Sequence, residues 1–135
     1  MNIKTTVLKN DIPKITARMA PYTRLVVMET ISVIERESKE SMSGPKHGRE
    51  YPQKNGKMHQ ASAPGEAPAI DTSLLVNSIQ SKMAGLLTGI VFTNTEYAPP
   101  LEFGSVHMAA RPFFLPAAKG AWPEFKRKML EIVKV

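Results

Sequence analysis

The sequence predicts an α+β fold: a small antiparallel β-sheet packed against a long N-terminal helix and a C-terminal helix, with an extended loop or β-hairpin arm. Three observations carry this. Apolar residues at three- and four-residue spacing open the chain, a second such set closes it, and two short β-like segments lie between them. The 135 residues suit a single domain, 1–135, since typical domains hold roughly 100–200. A chain of this size buries about two thirds of its unfolded surface.

Asp11 to Met42 reads as helix. Asp11 is placed to cap it, and Ile12, Ile15, Met19, Tyr22, Val26 and Val33 form its apolar stripe. Pro21 removes a backbone hydrogen bond and clashes with the preceding turn. Either the helix kinks there or Pro21 starts the main helix; the preferred reading is a short turn followed by a helix from Pro21 to about Ser41. The run Glu35 to Glu40 reads as its solvated face, with Arg36 and Glu40 four apart.

Residues 43–70 hold Pro45, Pro52, Pro64 and Pro68 with Gly44, Gly48, Gly56 and Gly65. That composition predicts an extended excursion from the core. Inside it, Asn55-Gly56 accepts the positive φ angles of a tight turn, so Arg49-Glu50-Tyr51 and Lys57-Met58-His59 are predicted to pair as a two-stranded arm. A lone hairpin is marginal in water; the arm is therefore mobile or packs on a neighbour. Next, Asp71 or Thr72 caps a short turn through Ser73-Leu74-Leu75. Strands follow over Val76–Met83 and Leu86–Thr93, joined at Ala84-Gly85, the second of them covered on both faces. A short helix over Glu96–Phe103 ends at Gly104, with Pro99 and Pro100 in its first turn. Arg111 to Pro116 is a rigid lead-in to a last helix over Ala117–Val133, striped by Trp122, Phe125, Met129 and Ile132.

Composition narrows the chemistry. Without cysteine there is no disulfide scaffold, thiolate metal site or thiol nucleophile. The longest apolar run, Leu25–Met28, is far below the roughly 20 residues of a membrane span, and residues 1–20 have no secretory pattern. A soluble, intracellular protein is expected. The formal charge of +6 is uneven: residues 1–60 hold 11 basic and 6 acidic side chains, 61–118 hold 2 and 4, and 119–135 hold 5 and 2. Basic ends fit a nucleic-acid face, solvated helix surfaces or an acidic partner equally well.

No phosphate-binding glycine loop or nucleophile elbow occurs, and His47, His59 and His107 lack metal-ligand spacing. Nothing brings two of Glu66, Asp71, Glu96 and Glu102 together as an acid–base pair, and no serine has a histidine in a recognisable nucleophile arrangement. The expectation is a protein without catalytic residues, metal or cofactor. Lys46, Arg49, Lys54 and Lys57 remain as candidate phosphate contacts, able to touch a nucleic-acid backbone without reading sequence. Phe113, Phe114 and Trp122 read as core rather than as a stacking platform.

Two stretches are more specific. One runs from Ala61 through Pro64-Gly65-Glu66-Ala67-Pro68 to Asp71-Thr72-Ser73-Leu74 and Asn77-Ser78-Ile79. The other is Tyr97-Ala98-Pro99-Pro100-Leu101-Glu102-Phe103-Gly104-Ser105, then Ala110-Arg111-Pro112-Phe113-Phe114. In order and spacing they resemble the tailed-phage neck family of "putative tail component" proteins, small head–tail connector or tail-completion subunits. That family looks like Ala-Pro-Gly-x-x-Pro, Asp-Thr-Gly-x-Leu, Tyr-Ala-x-x-x-Glu-Phe-Gly-Thr and Arg-Pro-Phe, flanked by helices. Ser73 stands at its usual Gly, implying that no positive φ is needed here, and Ser105 at its usual Thr.

The resemblance implies a non-enzymatic virion protein, assembled in the bacterial host cytoplasm into a ring at the head–tail junction. Sixfold symmetry is the expected form. Implied partners are further copies of the chain and other neck and tail proteins, with non-specific contact to channel DNA and no membrane. The alternative is a non-sequence-specific nucleic-acid-binding module using the 46–57 arm. Arg49, Tyr51, Asn55, Gly56, Lys57 and His59 are the candidate interface residues of the arm. Glu102 and Arg111 either pair across the Gly104 loop or are separately solvated. Tyr97 and Phe103, six apart, either face different sides, one inward and the other toward a neighbouring subunit, or both share the core.

Overall fold

A computed structural model describes residues 12–71 and 73–134; Asp11, the predicted cap of the first helix, lies outside them. Helix α1 (Ile12–Ser43) is followed by a hairpin of β1 (Glu50–Pro52) and β2 (Met58–Gln60), and then by α2 (Leu74–Ser78). A second hairpin, β3 (Gln80–Met83) and β4 (Gly89–Phe92), leads to α3 (Ala98–Phe103) and α4 (Phe114–Val133). The α+β arrangement is as predicted, with β3–β4 as the small antiparallel sheet and the β1–β2 hairpin of the arm as a separate two-stranded one. The β3–β4 hairpin packs on one side of α1, and α4 packs along α1. Ala118 lines one cleft with Ile31 and Ile34, and Lys128 reaches Glu29, so the two long helices run antiparallel.

Helix α1 is continuous through Pro21, and the preferred split at that residue does not occur. Pro21 and Ala17, whose carbonyl loses its amide partner, are both exposed, so water can serve that carbonyl. The predicted stripe is also displaced, since Ile15 and Tyr22 are exposed. The inward face instead comprises Val27, Ile31, Ile34, Ser38 and Met42, at spacings of four, three, four and four. Ser38 is fully buried because its hydroxyl donates to the Ile34 carbonyl at 2.7 Å. Of the presumed solvated run, Arg36, Glu37 and Glu40 do face water. Glu35 does not; it pairs with Lys39 at 2.6 Å and accepts from the Ser81 hydroxyl of β3 at 2.6 Å. These two donors hold its carboxyl below the ordinary range.

Residues 76–78 are helical rather than strand. Leu75 and Ile79, four apart, both enter the core, and the Ser78 hydroxyl bonds the Leu75 carbonyl and the Thr93 hydroxyl. The β3–β4 connection is correspondingly a longer loop over 84–88. It is closed by the Ala84 amide on the Thr88 carbonyl at 2.8 Å and held to α1 by Arg24, which donates to the Gly85 and Leu86 carbonyls. β4 is covered on one face only: Gly89 and Val91 meet the helices, whereas Ile90 is exposed and Phe92 lies under the Lys82 ammonium.

The core gathers at the C-terminal end of α1, where Met42, Leu75, Ile79, Ala98 and Phe113 meet. Helix α4 starts at Phe114, three residues earlier than predicted. It packs through the small residues Ala117 and Ala121, which allow close approach to α1, and Trp122 lies outside the core at 54% exposure. Phe125, Met129 and Ile132 are half-buried.

Gly89 marks the tightest approach of sheet and helix. A Cβ there would lie 2.6 Å from Ile31 Cγ2 and 3.0 Å from Val27 Cγ1, both on stiff β-branched side chains. Gly89→Ala should cost about 1–3 kcal/mol in urea denaturation with an unchanged slope. Gly120→Ala, with nothing within 4 Å inside α4, should instead stabilise by about 1 kcal/mol.

Candidate functional site

The two motif stretches interlock. Glu102, on the last turn of α3, accepts the backbone N–H groups of Phe113 (2.8 Å), Phe114 (3.0 Å) and Leu115 (2.8 Å). A helix leaves its first four N–H groups without intrahelical partners. Here three of those positions are served by one carboxylate, and the fourth is Pro116, which has no N–H. Neither alternative for Glu102 and Arg111 holds: they do not pair, and each is engaged within the fold. Arg111 turns the other way: its Nη1 donates to the buried Ser62 hydroxyl at 2.8 Å, and its backbone N–H to the Leu101 carbonyl at 2.6 Å. Pro112 is half-buried and leads into Phe113, which is 1% exposed.

Gly104 ends α3 with φ +81°, and its N–H donates to the Pro100 carbonyl at 2.9 Å. A Cβ at Gly104 would meet the Ala110 amide nitrogen at 3.0 Å, so the loop needs glycine for both angle and space. Beyond it, Ser105 and Met108 pair across a tight turn whose Val106 is 96% exposed. Phe103 is 81% exposed, and Tyr97 is partly exposed along a cleft; neither belongs to the core. Gly65, which follows Pro64 and has φ +84°, donates to the Ala110 carbonyl at 3.0 Å. This ties the first motif to the second.

Asp71 is not a helix cap: it accepts from the Gln53 side-chain amide at 2.5 Å. Thr72 lies outside the described residues. Ser73 holds the N-cap position of α2 with φ +61° and ψ 0°, and makes no side-chain cap bond. The expectation that this turn avoids positive φ is thus overturned, at the position where the resembled family carries glycine.

The base of the arm is woven into the body, and its hairpin lies over a cleft, tied down by Gln53 on Asp71. The Gly48 amide donates to Ala61, the Ala61 amide to Arg49, and Glu66 accepts from the amides of Ala63 and His47 and pairs with the His47 ring. The Ala63 amide above all, then His47, lowers the Glu66 carboxyl to about 2. No sequence pattern announced this clamp beyond an acid directly after the Pro64-Gly65 turn. At the tip, Gly56 alone takes a positive φ, of +79°. The Gln53 amide bonds Lys57 and the Asn55 side chain accepts from the Lys57 amide. The turn is therefore a three-residue loop rather than a tight two-residue one. Tyr51 and His59 pack across the strands with ring centres 5.2 Å apart and planes tilted by 60°.

Of the four candidate phosphate contacts, Arg49, Lys54 and Lys57 are exposed and have no carboxylate partner among the described residues. Lys46 is different. It is half-buried and donates to the Ser41 carbonyl at 2.7 Å, closing the end of α1, and its burial lowers its pKa against the opposing charge of Glu66.

Two clefts among the described residues bear on these elements. One, about 310 Å³, lies beneath the hairpin and includes Tyr51, His59, Tyr97 and Arg111 in its lining. The other, about 600 Å³ and mainly apolar, lies among α1, β4, α3 and the start of α4. Among the described residues, no three of His, Cys, Asp and Glu gather as a metal site, and no helix is long and apolar enough to cross a membrane.

The left-handed Ser73 carries a conformational cost of about 1–2 kcal/mol for a residue with a Cβ. Ser73→Gly should therefore raise stability by about 1 kcal/mol, and Ser73→Val should lower it by more than that, both read by thermal and urea unfolding. No protein-family model, no curated protein and no solved structure matches this chain.

Proposed function

We propose that this protein is a structural subunit of a tailed-phage virion, a head–tail connector or tail-completion protein that works as a ring of identical copies and catalyses nothing. One observation supports the assembling part of this reading above all others. Seventeen large hydrophobic side chains are exposed among the described residues, against eight buried hydrophobics of which three are alanine. Phe103, Val106, Leu115, Trp122, Leu130 and Val133 are each more than half exposed. Single exposed apolar residues are ordinary, but so many on a small body suit association. Head-to-tail contacts of one patch on a different patch close into a ring when the rotation is right.

The assignment to the phage neck rests on the resemblance of residues 61–117. The interlocking of that stretch supports it: Glu102, Gly104 and Arg111 each have a physical task, and Ser73 has the backbone of a glycine position. The most exposed part of the arm is the hairpin 50–60, held to the body through Gln53 on Asp71, whereas 44–49 and 61–70 are more closely tied in. It is suited to reach an adjacent subunit. A second reading, a nucleic-acid-binding module, is favoured by Arg49, Lys54 and Lys57 around that hairpin, which are exposed and have no carboxylate partner among the described residues; channel DNA would meet the same cations.

Replacing Glu50–Gln60 by Asn-Gly joins Arg49 to Ala61, whose backbones are already hydrogen-bonded at 3.0 Å. The shortened protein should unfold cooperatively and keep its helical circular dichroism. Wild type should form closed rings in electron microscopy and sediment above the monomer as concentration rises, and the hairpin-less form should remain monomeric. A wild type that stays monomeric at every concentration and shifts only with DNA, with affinity falling steeply in salt, would favour the second reading.

A further inference from the structure

The cleft beneath the hairpin carries chemistry that the proposed ring does not account for. We infer that it is a binding site for a carboxylate attached to an apolar body, with the Nε–Nη2 edge of Arg111 as the anchor. Three separate observations converge on it. The guanidinium can present two parallel N–H groups along that edge, which match the two oxygens of a carboxylate. Nη1 is occupied by Ser62, whereas Nε is buried and meets no acceptor among the described residues. A buried donor without a partner is destabilising, and an acceptor brought by a ligand removes that penalty.

The second observation is the cavity itself. Its volume of about 310 Å³ is at the lower end of small-ligand sites. Tyr51 of the hairpin forms one wall, and Leu74, Leu75, Tyr97 and Leu101 are part of the apolar and aromatic surround. The third is Ser73, on the same wall, held at positive φ; strained backbone of this kind concentrates at binding sites. Arg111 is also preset, since its own amide is bonded to Leu101 and Pro112 follows it.

Charge decides the class of ligand. The lining holds one permanent cation, Arg111, and one carboxylate, Asp71, which Gln53 holds. That balance admits a singly charged group and disfavours a dianion such as phosphate. The apolar walls ask for a hydrophobic body beside the charge. Because Nε is covered in the free protein, the lining of the cleft has to shift for the carboxylate to seat.

The test is a methyl NMR titration of leucine-labelled protein with phenylacetate, with 2-phenylethanol as its neutral counterpart and inorganic phosphate as the dianion. Saturable millimolar shifts at the Leu74, Leu75 and Leu101 methyls are expected with phenylacetate alone. Arg111→Gln should weaken binding by about tenfold or more, and Arg111→Lys by less. Should loss of the Ser62 bond unfold those variants, Leu74→Trp, at an exposed rim position, should block the cleft with Arg111 intact. Adding unlabelled protein separates the sources: shifts at the same methyls assign the carboxylate to a neighbouring copy, and their absence assigns it to a free small acid. The inference is overturned by no saturable shift, by an equal response to 2-phenylethanol, or by tighter binding of phosphate.

Discussion

A single carboxylate organises this fold. Glu102 receives every backbone N–H that the first turn of α4 has to offer and places a negative charge at the positive end of that helix. Hydrogen bonds to a charged acceptor each contribute about 1.5–3 kcal/mol, although three on one group do not simply add. Their positional effect matters as much. They fix the start of α4 against the end of α3, which seats Phe113 in the core and sets the angle at which Ala117 and Ala121 meet α1. The sharp Gly104 turn and the Arg111 amide on Leu101 close the same loop from its other side.

The elements were legible in the sequence where the signal is local. Three- and four-residue spacing announced α1 and α4, Asn55-Gly56 announced the first hairpin, and Gly104 announced the end of α3. The faces were less legible, because both long helices carry more apolar residues than the core can take. Tyr22 and Trp122 therefore looked like core and lie at the surface, while Ser38 and two alanines lie inside. Long-range pairings were not legible at all. Glu102 was one of few charges in its region, and the nearby Arg111 was the obvious local partner. Its actual partners, 11 to 13 residues on, are backbone amides that no side-chain pattern encodes. Ser62 and Arg111 are 49 residues apart, beyond any spacing argument.

The surplus of apolar surface and the arm belong to one account. A chain that buries few large side chains by itself keeps its remaining driving force for association, in which apolar burial dominates. The motif stretches are the rigid part of the molecule, with loops pinned by glycine angles and by Glu66 and Glu102. The basic charge that first suggested nucleic acid is distributed unevenly in its availability. Lys46, Lys39 and Lys128 are engaged within the fold, whereas the cations of the hairpin face outward.

The most direct measurement of the central role of Glu102 is residue-resolved amide hydrogen exchange. First-turn helix amides ordinarily exchange quickly because they lack partners. In this protein the amides of Phe113, Phe114 and Leu115 should exchange as slowly as the interior of α4, and Glu102→Gln should release them while lowering global stability by about 1–3 kcal/mol. Fast exchange of all three in the wild type, or an Glu102→Gln variant as stable as wild type with its protection intact, would contradict the account.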